Sequence, residues 1–185
     1  MMKRIFAQTA AVLCAGTCMA GALMGTALAA QTAPAPVAAA APLSERGLED
    51  EIIYFVLPDR FANGDASNDH GGYAADRLKS GFDPADTDLY HGGDLAGVNQ
   101  RLDYIQGLGA TAVWLAPVFK NKPVQSHGGY TGAAHHGYWI TDFTAVDPHF
   151  GDEGAMRALV EAAHARGMKV YLDIVANHTA DVIQY

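Results

Sequence analysis

Cysteine is nearly missing from this chain. The 185 residues hold two, Cys14 and Cys18, both within the first thirty positions. The remainder can therefore form neither a disulfide framework nor a thiolate metal site. Any staple beyond its own core has to come from a hard cation. Basic charge is also scarce: 12 Lys and Arg stand against 20 Asp and Glu, a formal net charge of −8. No Lys/Arg cluster exceeds two residues. Binding to nucleic acid rests on basic contacts to phosphate, and adhesion to an anionic membrane rests on the same chemistry, so the composition argues against both partners. No GxGxxG or GxxxxGK pattern follows any strand-like run, which argues against a nucleotide phosphate loop.

One long stretch lacks charge altogether. After Lys3 and Arg4 no charged residue occurs before Glu45. The apolar run between them closes on the small-x-small pattern Ala27-Leu28-Ala29, which reads as a secretory signal peptide over residues 1–29. The alternative is an uncleaved membrane anchor, since the run is long enough to span a bilayer, although Gly, Thr and Gln dilute it. Leu13 and Thr17 are poor residues before a lipidated cysteine. Removing Lys3 and Arg4 leaves 10 basic residues against 20 acidic ones, a balance of −10. That suits a secreted or periplasmic protein with no stable membrane contact after cleavage. Residues 30–44, mostly Ala and Pro, read as an extended tether.

What remains is half apolar and long enough for one core. Residues 51–58 (EIIYFVLP) read as a first strand, followed to about Gly93 by a Gly/Asp/Asn-rich loop. Loops of that length in a compact domain are usually functional or held by a ligand. Asp94 suits the N-cap of a helix carrying Leu95, Val98, Leu102 and Ile105 at helical spacing and closing at Gly107 and Gly109. Residues 111–117 (TAVWLAP) read as a second strand, followed by another long loop to Gly151. Asp152 caps a second helix with Met156, Leu159, Val160 and Ala163 on one face and Gly167 at its end. Residues 168–175 form a third strand. Strands alternating with helices predict a parallel sheet. Long loops after strands and short ones after helices indicate an α/β fold of the (β/α)8 TIM-barrel type, whose function is built at the strand C-termini. A doubly wound sheet is the alternative on pattern alone. Eight strands in roughly 250 residues are needed to close such a barrel. Residues 45–185 are therefore expected to be the N-terminal part of one, with three strands and two helices, ending where an inserted domain would begin.

Three constellations carry chemistry. Asn63, Asp65, Asn68 and Asp69 offer four side-chain oxygens around the turn at Gly64. Gly92 and Asp94 can add a carbonyl and a carboxylate, approaching the oxygen count calcium prefers. The same residues can equally form an Asx turn and a helix cap. In Tyr130 to Phe143, aromatics between glycines present flat faces that suit pyranose rings, with His135, His136 and Asp142 beside them for hydroxyls. The competing reading is a loop tucked down by its Tyr and Trp. In VYLDIVANH, the run Val170 to His178, a strand ends on Asp173, Asn177 and His178. Asp173 alone can be a strand-end carboxylate held by a backbone amide.

Taken together, these motifs resemble the α-amylase family of glycoside hydrolases, especially its exported bacterial members and the cyclodextrin glucanotransferase-like branch. Asp173-Ile-Val-Ala-Asn177-His178 carries the most specific part, with His136-Gly-Tyr138-Trp139 and Asp59-Arg60-Phe61 in the same order. The resemblance implies that Tyr138 stacks on the sugar at the cleaved bond, with His136, Trp139 and His178 as further substrate contacts. It implies that Asp173 supports the site through an Arg on a later strand. Calcium is the implied cofactor, with Asn177 as ligand beside the inserted domain and Asn63, Asp65, Asn68, Asp69, Gly92 and Asp94 forming a further site. A retaining glycosidase needs two carboxyl groups about 5 Å apart, and the family carries them on later strands. No catalytic residue is therefore expected among these 185, and the chain alone is expected to be inactive. The expected function of the full-length protein is retaining hydrolysis of an α-1,4-linked α-glucan polysaccharide or oligosaccharide. The alternatives are a cyclodextrin glucanotransferase-type transglycosylase and a non-catalytic glucan-binding barrel.

Overall fold

The computed structural model describes residues 42–182. The expected signal peptide and most of the tether lie outside the described residues. The end of the tether enters a 3-10 turn at Leu43–Glu45. In chain order the elements are β1 (Ile53–Val56), α1 (Arg77–Ser80), α2 (Leu95–Gln100), α3 (Leu102–Gly107), β2 (Ala112–Leu115), β3 (Phe119–Asn121), β4 (Val124–His127), β5 (Tyr130–Ala133), β6 (Ile140–Val146), α4 (Glu153–Ala165) and β7 (Lys169–Leu172).

Three strands rich in β-branched and aromatic residues form one parallel sheet in the order β1-β2-β7. The register aligns Phe55, Trp114 and Tyr171, and beside them Val56, Leu115 and Leu172. Because successive side chains alternate faces, Val56, Val113 and Leu115 enter the core with Leu95, Val98, Leu102, Ile105, Leu159 and Ala163 of the helices. The opposite face carries Ile53, Phe55 and Trp114, which remain 40%, 51% and 41% exposed. That is the side a closed barrel turns to its interior.

The helix expected from Asp94 is two helices. Arg101 leaves helical geometry (φ −107°, ψ 9°) between α2 and α3, yet Leu95, Val98, Leu102 and Ile105 are all fully buried. The apolar spacing runs straight through the break, so periodicity could not reveal it. α4 follows the expectation: Asp152 accepts from Ala155 N at 2.8 Å, and Gly167 closes the helix at φ 70°. The second loop was expected to lack strands, but it holds two antiparallel pairings, β3 with β6 and β4 with β5. Gly128-Gly129 between two short strands is a hairpin signal hidden within the aromatic–glycine pattern.

Candidate functional site

The site lies beyond the C-terminal ends of β2 and β7. Gly137 lets the second loop approach β2: a Cβ there would stand 1.9 Å from the Pro117 carbonyl oxygen, at φ 84°. No other residue fits that place without moving the backbone. Asp173 is fixed at the end of β7 by its own N–H, which donates to the Leu115 carbonyl at 3.0 Å.

Between these two ends Tyr138 is held at three points. Its hydroxyl donates to Asp173 Oδ2 at 2.8 Å. Its amide N–H donates to His136 Nδ1 at 3.0 Å, and its carbonyl accepts from His178 Nε2 at 3.0 Å. The bond to Asp173 raises the Tyr138 phenol above its ordinary value, with burial and the carboxylate charge adding to it. Burial lowers the His136 imidazole. A neutral ring that accepts at Nδ1 carries its proton on Nε2 and is a donor there. His178 has the same tautomer, since its Nε2 donates to Tyr138 while Asn177 Nδ2 donates to its Nδ1 at 2.9 Å. Trp139 stands edge-on to His136 at 4.9 Å and packs against the core. The structure thus brings together Tyr138, His136, His178 and Asp173, with Trp139 behind them. The contact from Asp173 to Tyr138 was not read from the sequence, because 35 residues separate the partners.

The first loop gathers a second group around Asp94, which is fully buried. Oδ1 accepts from Gly97 N at 2.6 Å, the helix cap, and from Gly64 N at 3.0 Å. Oδ2 accepts from Asp65 N at 2.8 Å and Asn68 Nδ2 at 3.0 Å. Asn63 Nδ2 lies 2.7 Å from Asp69 Oδ1. A Cβ on Gly92 would sit 2.6 Å from that same oxygen. Two observations bear on a cation. Asn68 Oδ1 is buried without a hydrogen-bond partner. Burial also raises the Asp69 carboxyl, with the charges of Asp94 and Asp65 adding to the rise and the Asn63 bond opposing it. An orphaned oxygen beside crowded carboxylates fits a hard cation. Asp65 also has a local partner: its exposed carboxylate caps Ser67, Oδ1 accepting from N at 2.9 Å and Oγ at 2.6 Å. Among the described residues no three His, Cys, Asp or Glu side chains gather as a metal cluster. A cation here would therefore rely on amide and carbonyl oxygens beside the carboxylates. Asn177 is exposed and its amide meets His178, not this group.

Two buried groups hold the loops in roles not read from the sequence: Asp59 within the first loop, and His149, which ties the second loop to the first. Asp59 accepts from His91 N at 2.9 Å and from Arg60 Nε at 2.9 Å, while burial pushes its carboxyl up to about 6. His149 stacks on Tyr90 at 4.0 Å, meets Asp147 Oδ1 at 2.9 Å and donates to the Ser80 carbonyl at 2.8 Å. The pair Asp147 and His149, two apart on the chain, was the only available signal.

The chain has relatives among known proteins. The family model described as "Alpha amylase, catalytic domain" matches residues 55–185. An alpha-amylase of Streptomyces lividans is 57% identical over 109 residues, covering 59% of this chain and 12% of that protein. The periplasmic alpha-amylase of Escherichia coli is 42% identical over 142 residues, covering 72% and 20%. A solved cyclomaltodextrin glucanotransferase with a three-domain ABC distribution superposes with TM-score 0.64 at 42% identity, covering 70% of this chain and 26% of that one. The chain therefore spans at most about a quarter of the length of these three. Its sheet is a partial (β/α)8 barrel, and the chain belongs to the α-amylase family of glycoside hydrolases and glucanotransferases.

Proposed function

We propose that this chain supplies the substrate-binding and cation-binding loops of an exported α-glucan hydrolase that cleaves α-1,4 linkages of starch-like chains with retention. The observation that carries this reading is Tyr138, held by His136, Asp173 and His178 at the ends of β2 and β7. A ring fixed at hydroxyl, amide and carbonyl loses little freedom when a sugar ring stacks on it. His136 Nε2 adds a donor for a sugar hydroxyl. The nucleophile and acid/base carboxyls of a double displacement are not assigned to any of these residues. Calcium would be held by Asn63, Asn68, Asp69, Gly92 and Asp94, and separately by Asn177. It would supply a fixed positive charge that ties the first loop down. Export accords with the acidic balance and with the periplasmic relative.

In the full-length protein, Tyr138→Ala is expected to lower kcat/KM on starch about a hundredfold, a loss of roughly 2.7 kcal/mol, while the thermal midpoint stays near its original value. The chain over residues 45–185 is expected to show no turnover. Clear hydrolysis by that piece, or an unaffected Tyr138→Ala enzyme, would overturn the roles. A second reading, transglycosylation, is favoured by the likeness to the glucanotransferase. Cyclic products from starch would decide for it.

A further inference from the structure

The first loop contains a chemical weak point that its own fold keeps closed. Of the five asparagines in the chain, only Asn63 is followed by glycine. Glycine has no side chain to hinder its amide nitrogen, and its backbone reaches conformations closed to other residues. In an unconstrained chain the Gly64 nitrogen can therefore attack Asn63 Cγ and close a cyclic imide. The N–Cγ bond forms, the Cγ–Nδ2 bond breaks, and ammonia leaves with the proton that Gly64 gives up. Water then opens the ring on either side. Addition at Cγ leaves an aspartate. Addition at the backbone carbonyl leaves an isoaspartate, whose main chain runs through Cγ and is longer by one atom.

The folded loop occupies both partners of that attack. Gly64 N–H donates to Asp94 Oδ1 at 3.0 Å, and Asp94 is fully buried. A nitrogen bonded to a buried carboxylate is a poor nucleophile, because shedding its proton would set two negative charges together. The Asn63 amide donates to Asp69 Oδ1 at 2.7 Å. Gly64 is also pressed against α2: a Cβ there would stand 2.2 Å from Gly97 N and 2.5 Å from the Ala96 carbonyl carbon. That contact admits no bulkier residue that would slow the attack, and it leaves no room for a longer main chain. Asn63 itself is exposed, so water reaches the ring once it has formed.

We propose that Asn63-Gly64 is a deamidation site gated by Asp94, inert while the loop is closed and reactive when it opens. An isoaspartate lengthens the backbone where it packs on α2 and adds a negative charge beside Asp69, so a loop that has reacted does not close again. Local opening thereby becomes irreversible. The test incubates the full-length wild type, Asp94→Asn and Asn63→Gln at mildly alkaline pH, folded and in guanidinium chloride. Chelator in every arm removes calcium as a variable, and no arm depends on glucan binding. Peptide mapping reads isoaspartate at position 63. The wild type is expected to react about a hundredfold faster unfolded than folded, since opening must break the bond to Asp94 and the packing on α2. Asp94→Asn keeps an oxygen for the helix cap but trades the one that accepts from Asp65 N for a donor. Its folded rate should rise about tenfold with circular dichroism retained. Asn63→Gln must close a larger ring and should give no product. Equal wild-type rates folded and unfolded overturn the gate, as does a folded Asp94→Asn no faster than wild type. An unreactive Asn63 in the unfolded chain overturns the site itself. If Asp94→Asn fails to fold, the wild-type comparison still decides.

Discussion

The loops after β1 and β2 are of similar length but differ in where they leave their polar groups. The first turns them inward: Asp59 and Asp94 are buried, and both oxygens of each accept from neighbouring N–H groups. The second also buries a pair, Asp147 and His149, but at the strand ends it leaves Tyr138 and His136 half-buried, held by each other and by His178 from beyond β7. The first loop is arranged around its own backbone, while the second leaves a fixed aromatic ring and an imidazole donor at the strand ends. The first should therefore govern stability and the second binding.

The largest effect expected on that basis belongs to Asp94. Asp94→Ala removes a helix cap and leaves Gly64 N, Asp65 N, Gly97 N and the Asn68 amide without their acceptor. One cap is worth about 1 kcal/mol and each stranded buried donor adds to it, so the loss is expected near 3 kcal/mol. Urea unfolding of the full-length protein measures it. A loss of activity with stability intact would erase the distinction between the loops.

Next in size is the response to calcium. A cation that binds only the folded loop raises the thermal midpoint in proportion to its occupancy. Asn68→Ala removes the orphaned oxygen and is expected to weaken calcium about tenfold, the scale of one neutral ligand. Asn177→Ala should reduce a separate part of the response. Calorimetric scans with and without chelator read both. A midpoint indifferent to calcium would return the first loop to plain turn-and-cap chemistry.

How far this contrast was legible beforehand depends on separation along the chain. The cap at Asp94 and the strand–helix order follow from short patterns, whereas His136, Tyr138 and His178 could be grouped only through the resemblance their motifs carry. The partnerships that decide what each group does are long-range: Tyr138 with Asp173, and His149 with the Ser80 carbonyl across 69 residues. A carboxylate or an imidazole is visible in a sequence, but its acceptor is not. The break at Arg101 is hidden for the converse reason: the apolar spacing it interrupts serves both helices. Asp65, one of six residues expected around a cation, also caps Ser67, a local partner two positions away.

The smallest expected effect tests whether the charge of one loop reaches a titrating group of the other. His135 belongs to the second loop, and burial pushes its imidazole down to about 4, with the Arg60 charge of the first loop adding to the shift. An unfolded histidine takes up its proton near pH 6.5. Between about pH 6.5 and pH 4 the unfolded chain therefore binds the proton that the folded protein refuses. Stability present above that window is lost as pH falls through it. Asp59 acts in the opposite sense: its carboxyl is raised to about 6, so the folded state holds the extra proton and stability falls as pH rises from about 4 to 6. The two slopes oppose each other, and only a difference between variants separates them. His135→Gln should remove the loss on the acid side and leave stability at pH 7.5 unchanged, as read from urea midpoints between pH 7.5 and pH 4. Arg60→Gln should shrink the same loss without abolishing it, because burial is the larger cause. If Arg60→Gln leaves the His135 response untouched, the loops do not communicate through this charge, and the contact of His149 with Tyr90 and the Ser80 carbonyl is what couples them.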